Sequence, residues 1–381
     1  MEYRTNEKLA AQVSLLGYGC MRLPADPEGI IQEEEAKSLL LRALEAGVNY
    51  FDTAYGYLSG KSEEFVGRAL AGVARERYYL ATKLPVWLAH SWEDADRLFD
   101  EQRRRLQTDY FDFYLFHALN KERWTEMKTL GLVDWAMEKK REGSIRRLGF
   151  SFHDKYEVFE DILTAHSWDF CQIQFNYLDT RFQAGLKGYH LAERLGIPIV
   201  VMEPVKGGAL ANPPEDVAAP LRSAAPKASL ASWAIRWAAS RPNVLTVLSG
   251  MGTQEQLEDN LNQFQPFRPL DGEEEALVER AAEMLRAKVK NGCTGCAYCM
   301  PCPAGVNIPK NFEIWNLMAK TDDGRAAWRP WNMVIDESAK ADHCVRCGKC
   351  LSLCPQKLPI PDDLARARAE LDALPASPTG N

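Results

Sequence analysis

A chain of 381 residues is longer than one small domain needs and accommodates a large domain with an appendage. Its formal net charge of -7, with no Lys/Arg-dense stripe, lacks the electrostatic footprint of a nucleic-acid binder. No apolar run approaches about 18 residues, and the start Met1-Glu-Tyr-Arg-Thr-Asn-Glu-Lys8 is polar without a signal-peptide core, so a cytoplasmic protein without a membrane partner is expected.

From the N-terminus onward, short β-branched or aromatic apolar runs alternate with amphipathic helical patterns. Strands are predicted at 15–19, 48–52, 79–82, 113–116, 147–150, 170–174, 198–201 and 244–248. Helices are predicted at 33–46, 62–71, 92–106, 132–141, 155–165, 184–195, 230–239 and 254–261. Gly47, Gly143 and Gly196 stand just past helix ends, where a left-handed residue is needed, and Ser91 with Asp94 reads as a capping box. Eight β-then-α units predict an α/β fold, a closed parallel (β/α)8 TIM barrel, with an open doubly wound sheet as the alternative. No G-x-G-x-x-G follows the first strand, which counts against a dinucleotide-binding version of that alternative.

The stretch Phe264-Gln-Pro-Phe-Arg-Pro-Leu-Asp-Gly272 reads as the exit from a barrel spanning 1–268. A connecting helix, from about 273 within 269–290, leads into a helical, cysteine-rich domain over 291–375, and 376–381 is expected to be a flexible tail. A Trp-rich insert around Ile314-Trp-Asn and Arg325-Ala-Ala-Trp-Arg-Pro-Trp331 is expected to be helical and to serve core packing.

The acid Asp52 closes an apolar strand and is followed by the Gly/Ser/Tyr-rich loop Thr53-Ala-Tyr-Gly-Tyr57-Leu-Ser-Gly-Lys-Ser62-Glu63. Lys83 ends the run from Tyr79 and His117 the run from Phe111, so Asp52, Tyr57, Lys83 and His117 converge at the mouth where a barrel carries its chemistry. Carbonyl reduction by hydride needs an acid for the developing alkoxide. Tyr57 can supply the proton, and a nearby ammonium would lower its phenol from about 10 towards working pH. Lys83 would be that ammonium, Asp52 would hold Lys83, and His117 would hydrogen-bond the carbonyl oxygen. Read singly, Asp52 could merely cap a helix, Lys83 could be a surface strand end and His117 a satisfied polar residue beside Asp109 and Asp112.

Asp52-Thr-Ala-x-x-Tyr57, Ser62-Glu63, Gly67, Thr82-Lys83 and Asp109-Tyr-x-Asp112-x-Tyr-x-x-His117 resemble, in order and spacing, the tetrad segments of the aldo-keto reductase superfamily, over about 10–265. The resemblance implies hydride transfer from an extended nicotinamide cofactor at the C-terminal face. It implies that Ser151 and Gln172 bind the nicotinamide amide, with Phe152 in place of the usual Asn and Asn176 as a partial replacement. Met202 stands near the family's stacking aromatic, followed by Glu203, and Lys206 is a candidate pyrophosphate partner. Ser249, Gly250, Met251, Asp259 and Asn260 match the adenosine end, where Gln256 replaces the Arg that many members use for a 2′-phosphate; NADP and NAD both stay open. His153 and Glu203 would make the mouth polar, favouring a sugar-like or hydroxylated substrate.

Cysteine is unevenly distributed: of ten, only Cys20 and Cys171 precede residue 290, and eight lie from Cys293 to Cys354. In a reducing compartment such spaced thiols hold metal or clusters, and isolated ones pack as small apolar side chains. The groups are Cys293-Thr-Gly-Cys296-Ala-Tyr-Cys299-Met-Pro-Cys302-Pro and Cys344-Val-Arg-Cys347-Gly-Lys-Cys350-Leu-Ser-Leu-Cys354-Pro. Three thiolates at this spacing wrap one cubane, and a fourth before proline reaches the other in two-cluster ferredoxins. The segment resembles bacterial-type dicluster ferredoxins over about 291–360. That implies two 4Fe-4S clusters, one on Cys293, Cys296, Cys299 and Cys354, the other on Cys344, Cys347, Cys350 and Cys302. The first group has two residues, where the pattern has three, before its last cysteine. Zinc is the alternative.

Together these features predict an NAD(P)H-linked oxidoreductase, similar to iron-sulfur members of the superfamily, that interconverts a small carbonyl compound and its alcohol. The clusters would serve electron exchange with a redox partner protein, or structure. Hydride carries two electrons and a cluster one, so a flavin is a further candidate cofactor. The rival reading is an electron-transfer or redox-sensing protein whose barrel is a scaffold. Oligomeric state stays open.

Overall fold

Eight strands are buried along nearly their whole length, as expected of a parallel sheet covered on both faces. A computed structural model describes residues 1–26, 29–318 and 325–374. Two short strands, β1 (Tyr3–Asn6) and β2 (Ala11–Ser14), pair antiparallel. They are followed by β3 (Leu16–Gly19), β4 (Tyr50–Asp52), β5 (Tyr79–Leu84), β6 (Phe113–Leu119), β7 (Leu148–Phe152), β8 (Phe170–Gln174), β9 (Ile199–Met202) and β10 (Val244–Ser249). Strands β3 to β10 form a closed, all-parallel barrel in sequential order, with β10 pairing β3. The (β/α)8 expectation holds and the open sheet is excluded.

The β1–β2 hairpin plugs the bottom. Leu9, Ala11 and Val13 pack in one cluster with Tyr50, Phe113 and Phe170, the first residues of β4, β6 and β8. The opposite, C-terminal end therefore stays available for side chains with chemistry.

Two strands run further than their apolar runs predict. β5 continues to Leu84 and β6 to Leu119, so Lys83 and His117 lie inside strands rather than at their last residues. A helix that the apolar pattern misses, Lys121–Leu130, follows β6. It buries only Trp124 and Met127, too little periodicity to be read, yet Asn120 caps it by accepting from the Arg123 N–H. Gly131 separates it from the predicted helix, found as Leu132–Glu142 and ended by Gly143 at φ 84°. Ser91 caps Trp92–Leu106 by accepting from the Asp94 N–H at 3.2 Å.

By contact density the chain forms two units, Met1–Pro204 with Ile235–Asp271, and Val205–Ala234 with Gly272–Asn381. The second contains the connecting helix, Gly272–Lys288, whose Lys288 pairs with Asp216 of the unpredicted helix Glu215–Ala224 at 2.9 Å. Its core forms between the helices Ile308–Leu317 and Ile360–Asp372, around Phe312, Trp315, Trp331, Leu364 and Leu371. The Trp-rich insert thus serves packing: Trp315 donates to Glu370 and Trp331 to Asp372, each at 2.9 Å. The expected tail, 376–381, lies outside the described residues. No helix among the described residues is long and apolar enough to cross a membrane.

Gly67 sets the approach of the helix Lys61–Leu70 to Trp92–Leu106. A Cβ there would lie 2.2 Å from the Arg105 carbonyl oxygen and 2.9 Å from the Leu106 Cα, both backbone atoms. Gly67→Ala is expected to destabilise the barrel by about 2 kcal/mol, lowering Tm by several degrees in a thermal melt. Gly72→Ala, with nothing within 4 Å, should leave Tm unchanged.

Candidate active site

The mouth of the barrel holds a buried ion pair. Asp52 is the last residue of β4, and its Oδ1 accepts from Lys83 Nζ at 2.7 Å, with side-chain exposures of 3% and 1%. Lys83 also donates to the Thr53 carbonyl at 2.7 Å, and its Nζ lies 4.9 Å from the Tyr57 ring centroid. The Tyr57 and His117 rings meet edge to face, 5.9 Å apart. All four predicted mouth residues are therefore brought together.

Their electrostatics differ from expectation at one point. Burial, with the Asp52 and Glu203 carboxylates adding to it, pushes the Tyr57 phenol well above its ordinary value rather than down. The expected lowering fails because the Lys83 charge is matched by Asp52 at contact, which leaves burial to dominate. Burial, followed by Lys83, Arg123 and His153, drives the His117 imidazole well below its usual range. The site thus holds a protonated phenol and a neutral imidazole at neutral pH. Trp87, from the turn Val86–Leu88, lies 5.2 Å from the His117 ring, and Arg123 stands over the Trp87 ring at 4.6 Å. Neither residue is marked by the sequence pattern, because the turn Val86–Leu88 and the helix Lys121–Leu130 both lie outside the predicted elements.

Ser151 and Gln172 lie within β7 and β8 and are both buried. Ser151 Oγ accepts from the Ala118 N–H at 2.7 Å, and Gln172 Oε1 is buried with no hydrogen-bond partner among the described residues. Asn176 is engaged within its own loop, accepting from the Leu178 and Asp179 N–H groups and donating to the Glu203 carbonyl at 3.1 Å. Met202 ends β9, and Glu203 follows at φ 56°. At the far end, Ser249 Oγ accepts from Asn260 at 2.8 Å, Met251 O accepts from Tyr18, and Gln256 accepts from the Gly252 N–H. Asp259 is half-buried in the same helix, Gln254–Gln263. Gly250 faces Arg22, a cation that no motif marks: a Cβ on Gly250 would lie 3.2 Å from its Cβ. Lys206 belongs to the other unit, in the turn Lys206–Ala211.

In that unit the cysteines surround two recesses. One is lined by Cys293, Cys296, Cys299 and Cys354, the other by Cys302, Cys344, Cys347 and Cys350, with Cys299 reaching both. Each recess draws its fourth thiol from the opposite sequence group. Among the described residues no three His, Cys, Asp or Glu close on a point that would hold a single ion. Four soft thiol donors around each recess suit a 4Fe-4S cluster. Cys20 and Cys171, by contrast, are buried singly, and burial pushes both thiols up.

Beneath Lys83 lies a buried polar network. Glu63 Oε1 accepts from Thr82 Oγ1 at 2.6 Å and Gln102 Nε2 at 2.7 Å, and Glu63 Oε2 pairs with Arg105 at 3.2 Å. Gln102 Nε2 also donates to the Lys83 carbonyl at 3.0 Å, and Gln102 Oε1 accepts from Tyr114 OH at 2.7 Å. Thr53 Oγ1 and Ser62 Oγ lie 2.8 Å apart, tying the loop after β4 to the helix that carries Glu63. Gln102→Ala would leave the Glu63 carboxylate and the Tyr114 hydroxyl each one buried partner short. It is expected to cost about 3 kcal/mol in urea unfolding.

Residues 15–283 match the model of the Aldo/keto reductase family, and residues 292–358 that of the 4Fe-4S dicluster domain. An uncharacterized oxidoreductase of Bacillus subtilis, YqkF, is 27% identical over 299 residues, covering 70% of this chain and 92% of its own. The holo form of an aldo-keto reductase from Bacillus halodurans superposes with a TM-score of 0.63 at 29% identity, covering 74% of this chain and 96% of that one. An aldo-keto reductase from Klebsiella pneumoniae solved with NADPH shares the fold, with a TM-score of 0.60 at 22% identity over 74% and 95% of the two chains. The chain belongs to the aldo/keto reductase family and is an oxidoreductase that carries a C-terminal 4Fe-4S dicluster domain.

Proposed function

We propose that the barrel interconverts a small carbonyl compound and its alcohol, with Tyr57 as proton donor. The observation that carries this reading is the buried Lys83–Asp52 pair set 4.9 Å from the Tyr57 ring. NADPH or NADH, when bound, supplies the hydride. The partnerless Oε1 of Gln172 suits the carboxamide of a nicotinamide, with the Ser151 hydroxyl still free to donate one hydrogen bond. Ser249, Gly250, Met251, Asp259 and Asn260 are assigned to the adenosine end, with Gln256 unable to offer a guanidinium to a 2′-phosphate.

In the reduction direction Tyr57 gives its proton to the carbonyl oxygen as charge develops there. The neutral His117 orients that oxygen through a hydrogen bond, and the Lys83–Asp52 pair stands beside the phenolate left behind, with Lys83 offsetting only part of what burial costs that charge. Trp87 covers His117 and helps to exclude water. Glu203 and His153 add polarity, which favours a hydroxylated, sugar-like substrate over a plain apolar aldehyde.

For the second unit we assign two 4Fe-4S clusters, one to Cys293, Cys296, Cys299 and Cys354, the other to Cys302, Cys344, Cys347 and Cys350. Bound clusters supply one-electron chemistry, for a redox partner protein or internally, and thiolate ligation would tie the two sequence groups together. A cytoplasmic location agrees with thiols kept reduced for ligation.

Tyr57→Phe is expected to lower kcat for carbonyl reduction by about two to four orders of magnitude, with the KM for NADPH little changed. Unchanged turnover would discard the tetrad mechanism. The raised Tyr57 phenol also sets the pH dependence: it stays protonated below its elevated pKa, so reduction should not fall through loss of this proton up to about pH 10. Alcohol oxidation, which needs the phenolate, should keep rising with pH across the alkaline range. Iron and sulfide analysis after anaerobic purification should give about eight of each per chain, and stoichiometric zinc would discard the cluster assignment.

A further inference from the structure

Ala118, next to His117 in β6, is the irregular point of the barrel wall. It has φ 54°, and the register against β7 jumps from Phe116↔Phe150 to Leu119↔Phe152, so β6 carries one extra residue there. A bulge of this kind strains a non-glycine residue and takes its peptide groups out of the ladder. Both groups are recovered by side chains: the Ala118 N–H donates to Ser151 Oγ and the Ala118 carbonyl accepts from an Arg123 guanidinium nitrogen, each at 2.7 Å. The surrounding corner is pinned by His153 N–H to the Leu119 carbonyl and by Lys121 N–H to Asp154, each at 2.9 Å. The Arg123 guanidinium also covers the Trp87 ring at 4.6 Å, and Trp87 in turn lies 5.2 Å from the His117 ring.

We propose that Arg123 is the positioning residue for His117: by holding the Ala118 carbonyl and the Trp87 indole at once, it fixes the bulge and the ring that aim the imidazole at Tyr57. The contacts form a closed circuit, from Arg123 through Trp87 to His117 and back through the adjacent peptide. An Arg suits the task because its planar fork can donate in its plane and stack on its face at the same time. The charged and titratable groups facing His117 are Lys83 from β5, Arg123 from the helix Lys121–Leu130, His153 after β7 and Tyr57 from the loop after β4. Loss of the Arg123 charge should therefore let the imidazole titrate closer to its ordinary value, while loss of its clamp should let the ring move. The functional meaning of His117 rests on the tetrad reading above, but its placement by Arg123 does not.

The test is NMR on the full-length protein with labelled His and Tyr, comparing wild type, Arg123→Gln and Arg123→Lys, with His117→Asn used for assignment. Expected for Arg123→Gln are a His117 titration moved towards pH 6.5, loss of ring-to-ring cross-relaxation between His117 and Tyr57, and about a tenfold lower kcat on 4-nitrobenzaldehyde with KM for NADPH unchanged. Arg123→Lys should keep the titration and lose part of the cross-relaxation. An Arg123→Gln protein whose His117 titration and ring contacts match wild type would overturn the inference. Should Arg123→Gln fail to fold, Trp87→Leu removes the other half of the clamp and must give the same loss of contact. Should Tyr57→Phe keep its turnover while Arg123→Gln releases His117, the tetrad reading falls and this inference stands.

Discussion

The arrangement at the barrel mouth depends on one constraint: a lysine and an aspartate at 1% and 3% side-chain exposure have to remain together. Neither charge could be left alone at that depth, because an unpaired buried ion costs several kcal/mol. The pair therefore imposes demands outward. Lys83 needs a second acceptor and finds the Thr53 carbonyl; Thr53 is held by Ser62, and the Lys83 peptide is held by Gln102. Glu63, buried at the centre of that support, would be a liability without Thr82, Gln102 and Arg105 as donors. The close helix approach at Gly67 brings Arg105 and Gln102 within reach.

The same pair shapes the electrostatics of the mouth. A salt bridge at contact presents little net charge to its neighbours, so burial governs Tyr57 and the phenol remains protonated across the physiological range. His117, surrounded by cationic or cation-capable groups, remains a neutral imidazole, with one ring nitrogen a donor and the other an acceptor.

The second unit meets a different constraint with different means. Its apolar core is small and built on tryptophans whose indole N–H groups each find a carboxylate, Trp315 with Glu370 and Trp331 with Asp372. Eight thiols arranged around two recesses would add covalent-strength ties between segments about fifty residues apart, which a core of that size cannot supply alone. Under the proposed function, hydride chemistry in one unit and one-electron chemistry in the other would call for a relay or for separate roles.

How much of this was legible in the chain follows from the range of each interaction. Alternation of apolar runs and helical patterns is local, and it carried the eight β/α units, the glycine and Ser91 helix ends and the order Asp52, Tyr57, Lys83, His117. Cysteine spacing is local too, and it carried the two-group thiol module. The weakly amphipathic helix Lys121–Leu130 was not legible, because Trp124 and Met127 are its only buried apolar residues. Tertiary structure alone decided the direction of the Tyr57 shift, the bulge at Ala118, the engagement of Asn176 within its own loop and the contacts of Gln102, Arg105 and Arg123. Each of these depends on how deep a group lies and on which distant residue meets it. Burial and non-local contact are properties of the closed barrel, and no window of sequence contains them.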